Sequence, residues 1–230
     1  MPLRRLDVEG FRSSSRPTIV KRRVEHPLVV LGSMQPADLV CANGQAEILR
    51  RRGGGGAVYV DPDSSIWIDL WLPASDSTSR LGVVDGLIAV GQLWRLSLEE
   101  LGLADLVVAC PERAPVPSAV CFSSIGYGEL LDNEGRKLVG MTAWRAREGS
   151  LYQTTLYRVL DRGLPELLNI SEDQRLRARE ALECRACDLL AFGRADLEAT
   201  SLLSALSTMI DQRVDSTEEA IIAEQGIESS

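Results

Sequence analysis

Arg50-Arg-Arg-Gly-Gly-Gly-Gly-Ala-Val-Tyr59 is the most unusual stretch of this 230-residue chain, and it stands between two segments with strand-forming patterns. Its four consecutive glycines are Gly53, Gly54, Gly55 and Gly56. Without Cβ atoms, such a loop lets a ligand approach the main chain closely and meet its N–H groups. Arg50 and Arg51 add positive charge with donors suited to phosphate. Taken alone, the stretch fits a phosphate-binding loop and a flexible hairpin tip with solvated arginines equally well.

A second unusual segment is Glu129-Leu-Leu-Asp-Asn-Glu-Gly-Arg-Lys-Leu-Val-Gly140, whose pattern predicts a strand, a turn and a strand. Lys137 follows the turn, and Lys21 is the only other lysine in the sequence. A compact ammonium can stabilise the charge that develops on a carbonyl or phosphate during acyl transfer. The competing interpretation, which the segment alone favours, is an ordinary surface lysine beside a turn.

The hydrophobic patterns predict an α+β fold, because most strands come first while helices are inserted and then close the chain. Apolar or alternating runs predict strands at 27–32, 57–60, 65–72 and 105–110, and β structure from 119 to 160. Recurrence at three and four residues predicts a helix over 83–103, ending at Gly102. The stretch 171–213 is predicted to be helical, beginning at Ser171.

Composition excludes several classes of protein. A net charge of −8 argues against a nucleic-acid or membrane-surface role, and no run approaches the roughly 20 apolar residues of a membrane span. Five cysteines at irregular spacing and the lack of a signal-peptide pattern favour the cytoplasm. One histidine, His26, leaves no multi-histidine metal site. Charge divides the chain into a basic segment (1–25), a main domain (26–213) and an acidic tail (214–230).

Together, the two unusual segments resemble the motifs of lipoate–protein ligases and octanoyltransferases, members of the biotin/lipoate ligase superfamily. The glycine stretch resembles their Arg-Arg-x-Ser/Thr-Gly-Gly-Gly motif, and Gly135-Arg-Lys-Leu-Val-Gly140 resembles the motif with their essential lysine. The strand at 27–32 followed by Gln35 also fits, so the resemblance covers roughly residues 27–160. It implies a mixed, largely antiparallel sheet backed by helices, in a biotin/lipoate ligase-like catalytic domain.

The resemblance implies a function and a set of roles. Ligases of this family condense lipoate or octanoate with ATP, using magnesium, and pass the acyl group from the adenylate to a lysine of a lipoyl domain. No prosthetic group or metal site in the protein itself is implied. Arg50, Arg51 and the glycine backbone would hold the acyl-adenylate, and Lys137 would contact the acyl carbonyl and phosphate. Gly140 would keep the acyl tunnel open. Tyr59 and Asp61 would be wall residues.

Four departures from the family pattern point towards a non-catalytic relative that binds acyl groups or adenylates. Gly53 stands where the family has Ser or Thr, and Met141-Thr-Ala stands where Ser-Ala is usual. Gln153-Thr-Thr155 replaces a His-Gly pair, and residues 1–26 do not have the pattern of the family's N-terminal helix. The ATP-dependent ligase nevertheless remains the preferred prediction.

Cys121-Phe122 provides the main alternative. Some octanoyltransferases of the superfamily carry a nucleophilic Cys-Phe at a similar place and take octanoate from acyl carrier protein without ATP. Cys121 precedes Lys137 by 16 residues, and a thiolate near that lysine would suit such chemistry. The plainer interpretation is a buried pair at the start of a strand. Cys184-x-x-Cys187 is interpreted as helix packing, because one such pair is weak evidence for zinc or redox chemistry.

Overall fold

The computed structural model describes residues 4–41, 46–113 and 116–227, with side chains between 6 and 213. Its strands are β1 (Arg4–Arg5), β2 (Thr18–Lys21), β3 (Leu28–Leu31), β4 (Glu47–Arg50), β5 (Val58–Val60), β6 (Ser65–Pro73), β7 (Val107–Val108), β8 (Leu130–Leu131), β9 (Lys137–Ala146) and β10 (Gly149–Tyr157). Its helices are α1 (Glu9–Arg12), α2 (Ser77–Arg80), α3 (Val83–Glu100), α4 (Glu172–Arg185) and α5 (Ala199–Ile227). No helix in these ranges is long and apolar enough to cross a membrane.

The strands form two sheets. The larger sheet has the order β2-β6-β10-β9-β8-β7 and is antiparallel throughout. The smaller sheet has the order β1-β4-β3-β5, with parallel β1/β4 and β3/β4 pairs and an antiparallel β3/β5 pair. The α+β class and the mixed, largely antiparallel sheet are therefore confirmed.

Strand β6 lies at the centre of three layers and is buried along its whole length. Alternate side chains of a strand point to opposite faces. Ile66, Ile68 and Leu70 accordingly share one hydrophobic core with residues of α3 and α5, such as Trp94 and Leu202. The opposite face of β6 belongs to a second core, which contains the smaller sheet and part of α4. The space between the two sheets is where the candidate site lies.

The predicted helix at 171–213 is two helices. The Ser171 hydroxyl caps α4 by accepting from the Gln174 amide, in a reciprocal capping box that confirms the predicted start. The helix ends at Arg185, because the next residues pair with the larger sheet, where the Cys187 amide donates to the Lys137 carbonyl at 2.9 Å. The prediction that Cys187 lies on a helix with Cys184 was therefore wrong.

The basic N-terminal segment is part of both sheets. β1 pairs with β4, β2 pairs with β6, and Phe11 of α1 is buried. The side chain of Arg22 reaches inward, and its Nε donates to Oδ2 of Asp69 at 2.6 Å. At the other end of the chain, α5 continues to Ile227 without a break at 214. The division of the chain at 25 and 214 stays a prediction, and residues 1–3 and 228–230 lie outside the described residues.

Candidate functional site

A pocket lies between the two sheets, with about 370 Å³ of space between its atoms including open solvent. The smaller sheet supplies an apolar wall, and the larger sheet supplies a wall with both apolar and polar side chains. Its lining residues are Val30, Arg51, Val58, Val60, Trp67, Cys121, Phe122, Gly140, Met141, Thr142, Gln153 and Thr155. Residues from both motifs, the glycine stretch and the lysine hairpin, therefore meet at one place.

Lys137, the first residue of β9, lies inside the protein with only 1% of its side chain exposed. Its Nζ atom lies 2.8 Å from Oε1 and 2.7 Å from Oε2 of Glu129, and it donates to the Cys121 carbonyl at 2.8 Å. A buried ammonium is costly unless it is paired and hydrogen-bonded, and both conditions are met here. The interpretation of Lys137 as a surface residue is therefore wrong.

Cys121 lies on a short 3-10 turn (Cys121–Ser123) rather than at the start of a strand. Its Sγ is 4.0 Å from Nζ of Lys137 and its side chain lines the pocket. The glycine stretch fixes the turn, because the Cys121 amide donates to the Ala57 carbonyl at 2.9 Å and the Ala57 amide donates to the Ala119 carbonyl at 2.7 Å. A thiol and an ammonium are thus held side by side at the pocket.

Gly140 on β9 packs directly against this turn. A Cβ at Gly140 would lie 2.9 Å from Cε2 of Phe122 and 3.7 Å from Sγ of Cys121. The Phe122 ring is itself held, because Nζ of Lys137 lies 5.2 Å from its centroid and the Tyr157 ring packs edge-on at 5.0 Å. Gly140 therefore lines the pocket, and any larger residue would displace the ring beside the thiol.

Arg51 is 5% exposed and shapes the glycine stretch from inside. Its Nη1 donates to the Val30 carbonyl at 3.1 Å, and its Nη2 donates to the carbonyls of Gly54 and Gly56 at 2.5 and 2.8 Å. Its Nε is buried without a hydrogen-bond partner. Burial lowers the pKa of Arg51, opposed by the charges of Cys121 and Glu129. The guanidinium therefore ties the glycine stretch to β3, and its Nε has no hydrogen-bond partner among the described residues.

Arg50 has a similar structural role one residue earlier. Its Nη1 donates to the carbonyls of Gly32, Ser33 and Gln35 at 3.2, 3.0 and 2.5 Å. The neighbouring Gln35 continues the network by accepting from the Gly32 amide and donating to the Ala119 carbonyl, both at 3.0 Å. Arg50 thus holds the loop after β3 rather than projecting into solvent.

The backbone amides of residues 53–56 have no hydrogen-bond acceptor within the part of the chain that the structure describes. The stretch turns through Gly55, where φ is +90°. A Cβ at Gly56 would lie 2.7 Å from the Cys121 amide nitrogen. The stretch is therefore both a support for the cysteine turn and a set of donors that an anion can use.

Gly53 and Thr142 occupy one space. A Cβ at Gly53 would lie 2.4 Å from Oγ1 and 2.6 Å from Cγ2 of Thr142. The Thr142 hydroxyl donates to the Gly54 carbonyl at 3.2 Å. The Thr142 side chain of the larger sheet therefore fills the space that a side chain at position 53 would need, and its hydroxyl is bonded to the glycine stretch.

Tyr59 and Asp61 lie away from the pocket. Side chains alternate along β5, and Val58 and Val60 line the pocket, so Tyr59 faces the opposite side. The Asp61 carboxylate closes a turn by accepting from the amides of Asp63 and Ser64 at 3.0 and 2.9 Å. Both residues line a separate surface depression near Pro27.

Two groups of polar residues at the site were not predicted from the sequence. Glu129, 3% exposed, is the counter-ion of Lys137. Asp69, fully buried, accepts from Nε1 of Trp67 at 2.8 Å and from Nε2 of Gln153 at 3.3 Å, besides Arg22. Burial raises the pKa of Asp69, and the Arg22 charge opposes that rise. An acid in the middle of an otherwise apolar strand was the available signal for Asp69.

Comparison with solved structures assigns the fold. A Thermoplasma acidophilum protein with bound lipoic acid aligns with a TM-score of 0.66 and 17% identity, over 89% of this chain and 76% of its own. Lipoate-protein ligase A bound with ATP aligns with a TM-score of 0.64 and 17% identity, over 94% of this chain and 86% of its own. A bi-partite archaeal lipoate protein ligase, studied with its E2 lipoyl domain, aligns with a TM-score of 0.64 and 17% identity, over 93% of this chain and 82% of its own.

The chain therefore has the fold of lipoate–protein ligases, as its two motifs predicted. No family model and no curated protein matches the sequence.

Proposed function

We propose that this chain is an acyltransferase that places an octanoyl or lipoyl group on a lysine of a lipoyl domain, with Cys121 as the acyl carrier. The observation that carries the proposal is the position of the Cys121 thiol, which lines the pocket 4.0 Å from Nζ of Lys137. Similarity to one structure with bound lipoic acid, and to a ligase studied together with its lipoyl domain, supports a lipoyl or octanoyl group as the substrate and a lipoyl domain as the acceptor.

The first step would load the enzyme. The Cys121 thiolate attacks the carbonyl carbon of an acyl thioester on acyl carrier protein, forming a new C–S bond. The tetrahedral intermediate then collapses, the original C–S bond breaks, and the carrier leaves as a thiolate that takes up a proton. The acyl chain occupies the pocket between the sheets.

The second step would unload the enzyme. The amine of the acceptor lysine attacks the carbonyl of the acyl-Cys121 thioester, the amide bond forms, and the proton lost by the amine balances the charge of the departing thiolate. No ATP is needed, because the thioester already carries the required activation.

Lys137 would provide electrostatic help in both steps. A buried ammonium close to the reacting carbonyl stabilises the negative charge that develops on its oxygen. Glu129 keeps that ammonium inside the protein between turnovers. The unpartnered Nε of Arg51 is a second donor at the same pocket.

The ATP-dependent ligase is the second candidate, and the free amides of residues 53–56 favour it. These donors suit the phosphate of an acyl-adenylate, and a neighbouring structure contains ATP. Within the described residues, no three acidic, cysteine or histidine side chains cluster as a metal site. Magnesium would therefore enter as its ATP complex. Arg50 and Arg51 would act by shaping the loop, since Nη1 of Arg50 and both Nη atoms of Arg51 donate to carbonyls.

Mass spectrometry of the intact protein tests the proposal. The full chain is incubated with octanoyl-acyl carrier protein without ATP, and then with a lipoyl domain. We expect one octanoyl group on the enzyme, mapped to Cys121, and its later appearance on the acceptor lysine. Cys121→Ser is expected to abolish both signals. Cys110→Ser, at an exposed thiol, is the matched control and keeps them.

The alternatives give different results. Modification of the lipoyl domain from octanoate only when ATP is present, and unchanged in Cys121→Ser, would contradict the cysteine route and support the ligase. Binding of octanoate without transfer under either condition would contradict both and identify a non-catalytic binding protein.

A further inference from the structure

Two buried polar atoms of the pocket lining have no hydrogen-bond partner among the described residues. They are the acceptor Oε1 of Gln153 and the donor Nε of Arg51, on side chains that are 4% and 5% exposed. A buried polar atom without a partner is destabilising by about 1–3 kcal/mol, and native proteins rarely leave one unmatched. Their presence in a pocket therefore points to polar atoms on the occupant.

The orientation of the Gln153 amide is fixed by its neighbours. Oδ1 of Asp69 accepts a hydrogen bond from Nε1 of Trp67 at 2.8 Å and is therefore an acceptor. The Gln153 atom that faces it, at 3.3 Å, must then be the donor Nε2 rather than the acceptor Oε1. The salt bridge from Arg22 to Oδ2 of Asp69, at 2.6 Å, favours the ionised carboxylate. Turning the amide around would bring two acceptors together. Oε1 of Gln153 is therefore the atom left for a ligand.

The register of the larger sheet places Gln153 relative to the thiol. Gly140, where an added Cβ would lie 3.7 Å from Sγ of Cys121, pairs with Thr155, whereas Thr142 pairs with Gln153. Gln153 and Thr155 lie on the same face of β10, two residues apart, which corresponds to about 7 Å along the strand. An acyl group attached at Cys121 would thus reach Gln153 with its chain rather than with its carbonyl.

Thr155 adds a second polar group along the same path. It lines the pocket, and its hydroxyl has no hydrogen-bond partner among the residues described by the structure. Saturated hydrocarbon would leave both this hydroxyl and Oε1 of Gln153 unmatched. A chain that carries its own donor would satisfy Oε1, and a site built to accept such a bond discriminates against a ligand that lacks it.

We propose that the pocket selects a medium-length acyl chain that carries a hydrogen-bond donor, such as a hydroxyl, and that Gln153 is the specificity-determining residue. The inference rests on the proposed acyl-transfer function, because that function makes the pocket an acyl site. It adds a preference to that function, in which octanoyl groups are accepted and donor-substituted chains are bound more tightly.

Isothermal titration calorimetry on the full chain provides the test. The probes are octanoate, 6-hydroxyoctanoate and 8-hydroxyoctanoate, each titrated into the wild-type protein, Gln153→Met and Gln92→Met. Gln153→Met keeps the length of the side chain and removes the acceptor. Gln92→Met makes the same replacement at an exposed position on α3.

We expect the wild-type protein and Gln92→Met to bind one hydroxy acid about tenfold more tightly than octanoate. Gln153→Met is expected to lose that preference or to favour octanoate. Equal affinities in the wild-type protein would overturn the inference, as would a preference that persists in Gln153→Met or a lack of binding by all three acids. A buried water molecule on Oε1 would produce the equal affinities.

A transfer assay with the corresponding acyl thioesters separates this inference from the proposed function. Preferential binding of a hydroxy acid without any transfer to a lipoyl domain would contradict the function and leave the binding specificity standing. Transfer of octanoyl and hydroxyoctanoyl groups at the same rate and affinity would contradict the specificity and leave the function standing.

Discussion

Glu129 and Lys137 form a buried ion pair in which Nζ lies 2.8 and 2.7 Å from the two carboxylate oxygens. The carboxylate also accepts from the amides of Gly126 and Met141, at 2.5 and 3.4 Å. Removing one partner of such a pair leaves an uncompensated charge in the interior, so the pair is sensitive to single substitutions.

The first prediction concerns Glu129→Gln. We expect the free energy of unfolding to fall by about 3–5 kcal/mol, because the Lys137 ammonium is left buried without its counter-ion. Guanidinium chloride unfolding measures the change. Glu134→Gln, at an exposed partner of Arg136, is the control and should change stability by less than about 0.5 kcal/mol.

The double variant Glu129→Gln/Lys137→Met checks the cause. If the loss comes from an unpaired charge, the double variant is more stable than Glu129→Gln alone. A double variant that is less stable than either single variant would show that packing, and not charge, explains the loss. Lys137→Met by itself is expected to abolish acyl transfer.

The second prediction compares two glycines of the same loop. Gly56→Ala should reduce stability by about 1–3 kcal/mol and slow acylation of Cys121, because its Cβ would lie 2.7 Å from the Cys121 amide nitrogen. A Cβ added at Gly54 would have no atom within 4 Å, so Gly54→Ala should change stability by about 0.5 kcal/mol or less. Thermal unfolding and the rate of thioester formation measure both effects. Equal losses in the two variants would contradict the close packing of the loop on the cysteine turn.

The third prediction concerns the shared space of Gly53 and Thr142. Gly53→Ser restores the residue type of the resembling family, yet we expect it to destabilise this protein by about 1–3 kcal/mol through its clash with Thr142. Adding Thr142→Ala should recover most of that loss, because it removes both clashing atoms and the serine supplies a hydroxyl. If the losses of stability from Gly53→Ser and Thr142→Ala simply add in the double variant, the two side chains do not compete for one space.

The fourth prediction concerns thiol chemistry and pH. Burial, together with the nearby charge of Asp132, raises the pKa of the Cys187 thiol to about 12. Since alkylating reagents attack the thiolate, Cys187 should stay unmodified by iodoacetamide from pH 7 to 9, and its reactivity should rise only as the pH approaches about 12. Peptide mapping compares it with the exposed Cys184 and Cys110, which react. Rapid modification of Cys187 in the folded protein at pH 8 would contradict the buried position of its thiol.

The fold was predictable because its signals are local. The amphipathic helix α3, the capping box at Ser171 and the strands on either side of the glycine stretch each follow from periodicity or turn chemistry. The break between α4 and α5 was not predictable in the same way. It results from pairing of Ala186 with Lys137, a contact between residues far apart in sequence.

The candidate site was only partly predictable. Cys121, Lys137 and Gly140 were singled out by motif. Cys121 and Gly140 line the pocket, and Lys137 lies beside Cys121, with Nζ 4.0 Å from Sγ. Arg51 was expected to contact a ligand, but its Nη atoms hold the loop, because the glycine carbonyls fold back over it. Tyr59 was assigned to the wall, and the alternation along β5 places it on the other face. These differences depend on the direction in which each side chain points, and a sequence motif does not encode that direction.

The contact between Gly53 and Thr142 affects how relatives of this chain can be recognised. In this chain the hydroxyl bonded to the glycine loop belongs to Thr142, 89 positions after Gly53, so a search pattern that demands Ser or Thr in the glycine motif would pass over it. In an alignment of relatives, we expect these two positions to covary. A hydroxyl residue at the first position should accompany a small residue at the second, and glycine at the first should accompany threonine at the second.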